Sequence, residues 1–240
     1  MFAASRDPSQ MKKLRCEIPG LLAATPEDLA KASDLVVLCV PPDAYLALCD
    51  QIAPHLGSTI LISVTNTIPL ASIAERVRVP VVKVIPTLAH VVGRGVSLLV
   101  AGPGAKPEDV EAVRRVFARF SVPILIDARN DRVASNVAGS ALALFAALCD
   151  AFVSANAART ETLGRPVLDA MMAETVGAIA ALANAGYGWG DIVRATATPG
   201  GMTQAALDVL ASQFPQIAND MVAATFARQA EILNRKQAIP

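Results

Sequence analysis

Over the first half of the chain, short apolar runs rich in β-branched residues alternate with stretches of helical periodicity. Residues 35–40 (Leu-Val-Val-Leu-Cys-Val) contain no polar break, the pattern of a strand buried on both faces of a parallel sheet. Further strands are predicted at 59–64, 81–85, 96–101 and 122–126, with helices between most of them, which gives a mostly parallel sheet joined by crossover helices. One helix start is well marked. Thr25 stands as N-cap, Pro26 at the first helical position and Asp28 in the first turn, where a hydroxyl acceptor, a fixed φ and a negative charge each favour the helix. Over 107–120, Val110, Val113, Phe117 and Phe120 recur at helical spacing while Arg114, Arg115 and Arg119 fall elsewhere, so this helix covers the sheet with one face.

Beyond about Arg129 the strand pattern stops. Alanine-rich helical sequence follows, with breaks expected at Gly164-Arg165-Pro166, Gly186-Tyr187-Gly188, Pro199-Gly200-Gly201 and Phe214-Pro215. The pattern therefore predicts two domains: residues 1–128, a Rossmann-like α/β dinucleotide-binding domain, and residues 129–240, all helical. The segments 137–153 and 171–185 are apolar on more than one face. A helix of that kind needs partners all round. A second copy of the chain is the expected source, making the second half a dimerisation and substrate domain of a homodimer or higher homo-oligomer.

Composition narrows the function classes. The chain has 240 residues, 53% hydrophobic and 18% charged, which excludes the polar composition of disordered chains. Twenty-one basic residues balance 21 acidic ones, so no basic field is available for a nucleic-acid partner. The mean hydropathy of +0.45 raises a membrane reading. Against it, the apolar run 137–153 is interrupted by Gly139 and Ser140, contains Asp150 and falls short of the ~20 residues that cross a bilayer. A buried interface helix with no membrane partner is expected instead. The first residues show no charged start, apolar stretch and cleavage site, so the cytoplasm is the expected location. Cys16, Cys39, Cys49 and Cys149 show no Cys-x-x-Cys spacing, and His55 and His90 lie far from them in sequence. No metal site is expected, and the cysteines read as reduced, packed side chains.

Two loops carry candidate chemistry. Thr198-Pro199-Gly200-Gly201-Met202-Thr203 precedes a helical stretch. Its glycines permit close backbone approach, and the open N–H groups at the helix start with the Thr203 hydroxyl suit a carboxylate. Pro-Gly-Gly turns are common, and on spacing alone an ordinary connection is the more frequent occurrence. The second loop belongs to residues 83–95, where an apolar strand runs through Pro86, Thr87 and His90 to Gly93 and Gly95. The carboxyl end of a parallel strand is where a dinucleotide or substrate sits. A lone histidine in such a loop is more often packed and hydrogen-bonded than chemically active.

Together these residues resemble the pyrroline-5-carboxylate reductase family, and the likeness runs from Ser5 to about residue 233. The loop 198–203 is similar to the family's Ser-Pro-Gly-Gly-x-Thr signature; residues 83–95, 40–42 and 131–133 support it. The resemblance implies reduction of the C=N bond of a cyclic imino acid, 1-pyrroline-5-carboxylate, to L-proline with NADPH or NADH. It implies that Thr198, Gly200, Gly201 and Thr203 hold the substrate, with Thr203 as the catalytic candidate, orienting rather than titrating. It implies that Ser5 and Arg6 meet the 2′-phosphate, that Val40, Pro41 and Pro42 pass under the nicotinamide ribose, and that Pro86 lies at the cofactor. No lysine occurs between Lys106 and Lys236 and no histidine after His90. That agrees with an imine that arrives already protonated, and it disfavours a hydroxy-acid dehydrogenase, which would use a lysine on the long helix.

The sequence departs from the family at the front. The family opens on a strand and a Gly-x-Gly-x-x-Gly turn, whereas the first glycine here is Gly20. The first domain is therefore expected to lack that central strand and the pyrophosphate cradle. Ala138-Gly139-Ser140-Ala141 stands for the family's Gly-Ser-Gly-Pro, Pro86-Thr87-Leu88-Ala89 for Pro-Asn-Thr-Pro, and Pro41 for the lysine of Val-Lys-Pro. These changes admit a different imine. The competing expectation is a non-catalytic dimeric scaffold derived from such a reductase.

Overall fold

The computed structural model describes residues 1–65 and 68–237, with side chains described through residue 232. The chain divides into two compact units, Met1–Gly139 and Ser140–Pro240. The division falls about ten residues beyond the expected boundary at 128, because the first turns after it still pack on the sheet.

The first unit contains β1 (Phe2–Ala3), α1 (Pro8–Glu17), β2 (Leu22–Ala23), α2 (Pro26–Ala32), β3 (Leu35–Leu38), α3 (Pro42–Ile52) and β4 (Ile60–Ser63). There follow α4 (Leu70–Val77), β5 (Val81–Ile85), β6 (Val96–Ala101), α5 (Pro107–Phe117), β7 (Val122–Leu125) and α6 (Asp131–Ser135). The start of α2 forms as its residues dictate: the Asp28 N–H donates to the Thr25 hydroxyl at 3.1 Å.

Strands β3 to β7 lie in sequence order in one sheet, every neighbouring pair parallel except β5 and β6. The exception has a local cause. Only ten residues join β5 to β6, without a crossover helix, and a parallel return needs a dozen or more. The alternation along the strands separates two cores. Val36, Leu38, Leu61 and Val81 face Tyr45, Cys49, Ile52, Ile73 and Val77 of α3 and α4. Ile60, Ile62, Val82, Val84 and Leu99 face Val110, Val113 and Phe117 of α5.

The two strands ahead of β3 lie outside the five-stranded sheet. Strands β1 and β2 pair in parallel as a separate two-stranded ribbon, and β3 is left as an edge. In the doubly wound order 3-2-1-4-5-6, removing strand 1 leaves this pattern, a 3-2 pair detached from the remainder. Val37 in β3 is 48% exposed although its strand is otherwise apolar.

The Tyr45 hydroxyl donates to Ser63 Oγ at 2.8 Å inside the first core. Burial, only partly offset by that hydrogen bond, pushes the phenol up to about 12. The fold therefore keeps the proton that the unfolded chain releases near pH 10. This stabilisation is complete below pH 10 and is lost as pH rises through about 12, at a slope of up to about 1.4 kcal/mol per pH unit. Tyr45→Phe is expected to cost about 1 kcal/mol at pH 7 and to flatten the alkaline fall, measured as urea midpoints of both proteins between pH 8 and 11.

The second unit holds α7 (Ala141–Ala157), α8 (Arg165–Asn184), α9 (Trp189–Thr196) and α10 (Met202–Gln237). Breaks at 186–188 and 199–201 occur as expected, while the one expected at 164–166 lies earlier, between Ala157 and Gly164, with Arg165 and Pro166 opening α8. The break at Phe214-Pro215 does not: α10 runs through Pro215. A proline there removes one hydrogen bond to Ala211, and both residues are exposed, leaving the freed carbonyl open to water. Among the described residues of this unit only Val153 is a fully buried large hydrophobic, while Phe145 and Phe152 are 64% and 62% exposed. Two helical stretches, Ala128–Ala157 and Arg165–Asn184, are long and apolar enough to cross a membrane by length and composition.

Candidate functional site

The carboxyl ends of β3 and β5 lie on the same edge of the first unit, with β4 between them. Val40 follows β3 and packs its side chain against the first core. Pro41 caps α3 and Pro42 takes its first position. Neither proline has an N–H to offer, so this stretch can contact a ligand through ring and carbonyl surface rather than as a donor. Both are exposed.

Pro86, exposed, follows β5, and Thr87 comes next. The Thr87 Oγ1 atom is buried without a hydrogen-bond partner among the described residues, an unusual state for a hydroxyl that costs free energy unless something binds it. Gly95 closes this loop at φ +86°, and a Cβ there would stand 2.7 Å from Ala89 Cβ and 3.1 Å from Thr87 Oγ1. The glycine is required by both backbone and space.

His90 is packed rather than presented. Its Nε2 lies 3.2 Å from Ser97 Oγ, and its ring meets Phe120 edge-on at 5.5 Å. Ser97 Oγ in turn lies 2.7 Å from Ser121 Oγ, which donates to the Phe117 carbonyl.

At the front of the chain, the Ser5 hydroxyl donates to Gln10 and accepts from the Asp7 N–H. Asp7 caps α1, and hydrogen bonds from the Ser9 hydroxyl and N–H hold its carboxyl below the usual range. Arg6 is exposed beside it. The residues expected at a 2′-phosphate are thus accessible, with an ionised carboxylate next in the chain.

In the second unit, the loop 198–203 is open. Thr198, Pro199, Gly200 and Thr203 are exposed and Gly201 is half-buried. Gly200 adopts φ +73°, and the Gly201 N–H donates to the Thr198 carbonyl at 2.9 Å. The first helical bond of α10 runs from the Ala205 N–H to the Gly201 carbonyl at 3.1 Å. The N–H groups of Met202, Thr203 and Gln204 are thereby left without helical partners at an accessible helix start, the arrangement that accepts a carboxylate.

A buried charge pair went unread in the sequence. Lys83 lies within the fully buried strand β5, and its Nζ is 2.5 Å from Asp131 Oδ2 at the start of α6. The signal was available: a lysine inside Val-Val-Lys-Val-Ile has to find an anion if both of its strand neighbours are to stay buried. The two orphan hydroxyls, Thr87 and Ser135, left no comparable trace, because a buried threonine or serine reads like any other.

Comparison with known proteins agrees with this architecture. Residues 130–232 match the pyrroline-5-carboxylate reductase dimerisation family, and residues 1–67 match the coenzyme F420-dependent NADP oxidoreductase family. Pyrroline-5-carboxylate reductase 3 of Bacillus subtilis is 23% identical over 229 residues, 95% of this chain and 84% of that protein. Pyrroline-5-carboxylate reductase of Pseudomonas aeruginosa is 27% identical over 209 residues, covering 83% and 75% respectively. The solved pyrroline-5-carboxylate reductase of Coxiella burnetii superposes with a TM-score of 0.87 at 18% identity, over 96% of this chain and 87% of that one. That of Plasmodium falciparum, solved with NADP bound, gives 0.80 at 19% identity over 97% and 87%. The exposed apolar helices of the second unit fall within the segment that matches this dimerisation family. In its dimerisation segment, in relatives matched along most of its length and in its fold, the chain is similar to pyrroline-5-carboxylate reductases.

Proposed function

We propose that this protein reduces the C=N bond of a cyclic imino acid, 1-pyrroline-5-carboxylate in the first instance, to give L-proline. The observation that carries the reading is the open loop 198–203. It offers the N–H groups of residues 202–204, which precede the first helical bond among the described residues, and a hydroxyl at a helix start, the chemistry a ring carboxylate needs. Thr198, Gly200 and Gly201 shape that cradle, and Thr203 orients the ring through its hydroxyl. NADPH or NADH supplies the hydride. The ring nitrogen of the iminium already carries its proton and takes up the C=N electron pair as the imine carbon, C2 of the pyrroline ring, receives the hydride, so no side-chain acid is required. The absence of lysine between Lys106 and Lys236 fits that chemistry.

The cofactor fits the first unit at one end only. Val40, Pro41, Pro42 and Pro86 line the strand ends where a nicotinamide and its ribose would lie, and the buried orphan Thr87 Oγ1 gives a polar group there a partner. For the pyrophosphate no glycine-rich cradle exists in the sequence, and the sheet is open at that place. The competing reading is a non-catalytic dimeric scaffold, which the segment matching the dimerisation family would serve without a cofactor.

The test is loss of NADPH absorbance on adding 1-pyrroline-5-carboxylate, for this chain and for a version extended ahead of Met1 by a strand and glycine-rich turn. Turnover by either supports the reductase. Turnover by neither leaves the scaffold. Within the same assay, Arg6→Ala is expected to raise KM for NADPH about tenfold through loss of a charge-assisted phosphate contact and to leave KM for NADH unchanged. Equal effects on both would remove Arg6 from the phosphate.

A further inference from the structure

The helix that leaves the sheet is tied to β5 at one point and passes close to the loop after it at another. At one, Lys83 Nζ meets Asp131 Oδ2 at 2.5 Å, with the side chains only 10% and 19% exposed. At the other, a Cβ on Gly139 would stand 4.0 Å from Thr87 Cγ2. Asp131, Ser135 and Gly139 recur every four residues and so share one helix face. The ion pair and the approach of Gly139 to Thr87 bring this face to β5 and its continuation. The helix then loosens into one π turn, Asn136–Ser140, a distortion found frequently at functional sites, and the second unit begins at Ser140.

We propose that the Lys83–Asp131 ion pair is a latch: a pair of positioning residues that fixes α6 on β5 and so sets where Thr87 and the π turn stand for hydride transfer. The proposal rests on the reductase reading above. A buried ion pair adds little net stability relative to apolar residues of similar size, because both charges lose their water, whereas its geometry is directional. An apolar pair in its place holds the helix less specifically. Stability and positioning can therefore be separated by mutation.

The experiment uses the full chain and three variants: Asp131→Asn, Lys83→Arg, and the double variant Lys83→Met with Asp131→Leu. Asp131→Asn is expected to lower kcat at least about tenfold, the scale of a small misplacement of reacting groups, with KM for NADPH within about twofold. Lys83→Arg keeps kcat close to wild type. The double variant keeps the wild-type unfolding midpoint and still has low kcat. Wild-type kcat in Asp131→Asn, or recovery of kcat in the double variant, overturns the latch, as does a loss confined to KM. Absence of turnover in the wild-type chain overturns the reductase reading instead. Amide exchange over residues 131–140 then decides the fastening itself, faster exchange in Asp131→Asn being expected and unchanged exchange overturning it.

Discussion

Gly201→Ala is expected to lower kcat/KM for 1-pyrroline-5-carboxylate at least about a hundredfold, the cost of misplacing a bound group by an ångström, with little change in the unfolding midpoint. A Cβ on Gly201 would stand 2.9 Å from the Thr198 carbonyl oxygen. That is backbone, not the end of a flexible side chain, so the turn itself must move. The Gly201 N–H bond to the same carbonyl goes with it, and the N–H groups of 202–204 are re-aimed. The fold is spared because the loop is exposed. Gly200→Ala is the companion measurement. It meets open space but sits at φ +73°, so it carries about 1 kcal/mol of left-handed strain without a clash and should lose less activity. A Gly201→Ala protein with wild-type kcat/KM would make 198–203 an ordinary turn, and the substrate assignment would go with it.

Why that loop was legible in the sequence, while other parts were not, follows from what each feature depends on. Strand β5 is legible to the residue, because four apolar, β-branched residues bounded by Pro80 and Pro86 mark a strand even with Lys83 at its centre. The N-cap at Thr25 was legible because a cap is a local event confined to four residues. The antiparallel turn between β5 and β6 was not, since the ten-residue connection decides it and the strands themselves look alike in either direction. Helix α1 and the two short strands β1 and β2 were also missed: Phe2–Ala3 and Leu22–Ala23 are two residues each, too short for any period. Pro215 misled for the opposite reason. A local breaker was overridden by the exposed helical residues around it.

The site itself divided along the same line. The glycines at 200 and 201 announce a backbone need that any sequence displays, and the exposed prolines at 41 and 42 mark a helix start. The Lys83–Asp131 pair joins residues 48 apart in the chain. Nothing local indicates which anion the strand lysine meets, so the pairing required the fold.

The second large effect concerns the open place in the sheet. Joining a parallel strand and a Gly-x-Gly-x-x-Gly turn ahead of Phe2 is expected to tighten NADPH binding at least about a hundredfold, measured by fluorescence titration of both proteins. The estimate comes from backbone donors alone: two or three N–H bonds to a charged pyrophosphate contribute about 1.5 kcal/mol each at the low end, and 1.4 kcal/mol is a factor of ten. The same addition gives β3 a second neighbour and joins the β1–β2 ribbon to the main sheet, since both now present unpaired strand edges. Stability should therefore rise together with affinity, and amide exchange of β3 should slow. If affinity rises while exchange of β3 is unchanged, the added turn binds phosphate without entering the sheet, and the doubly wound order assigned to this domain is wrong. If neither changes, the gap is a settled feature of this chain, and the scaffold reading gains over the reductase.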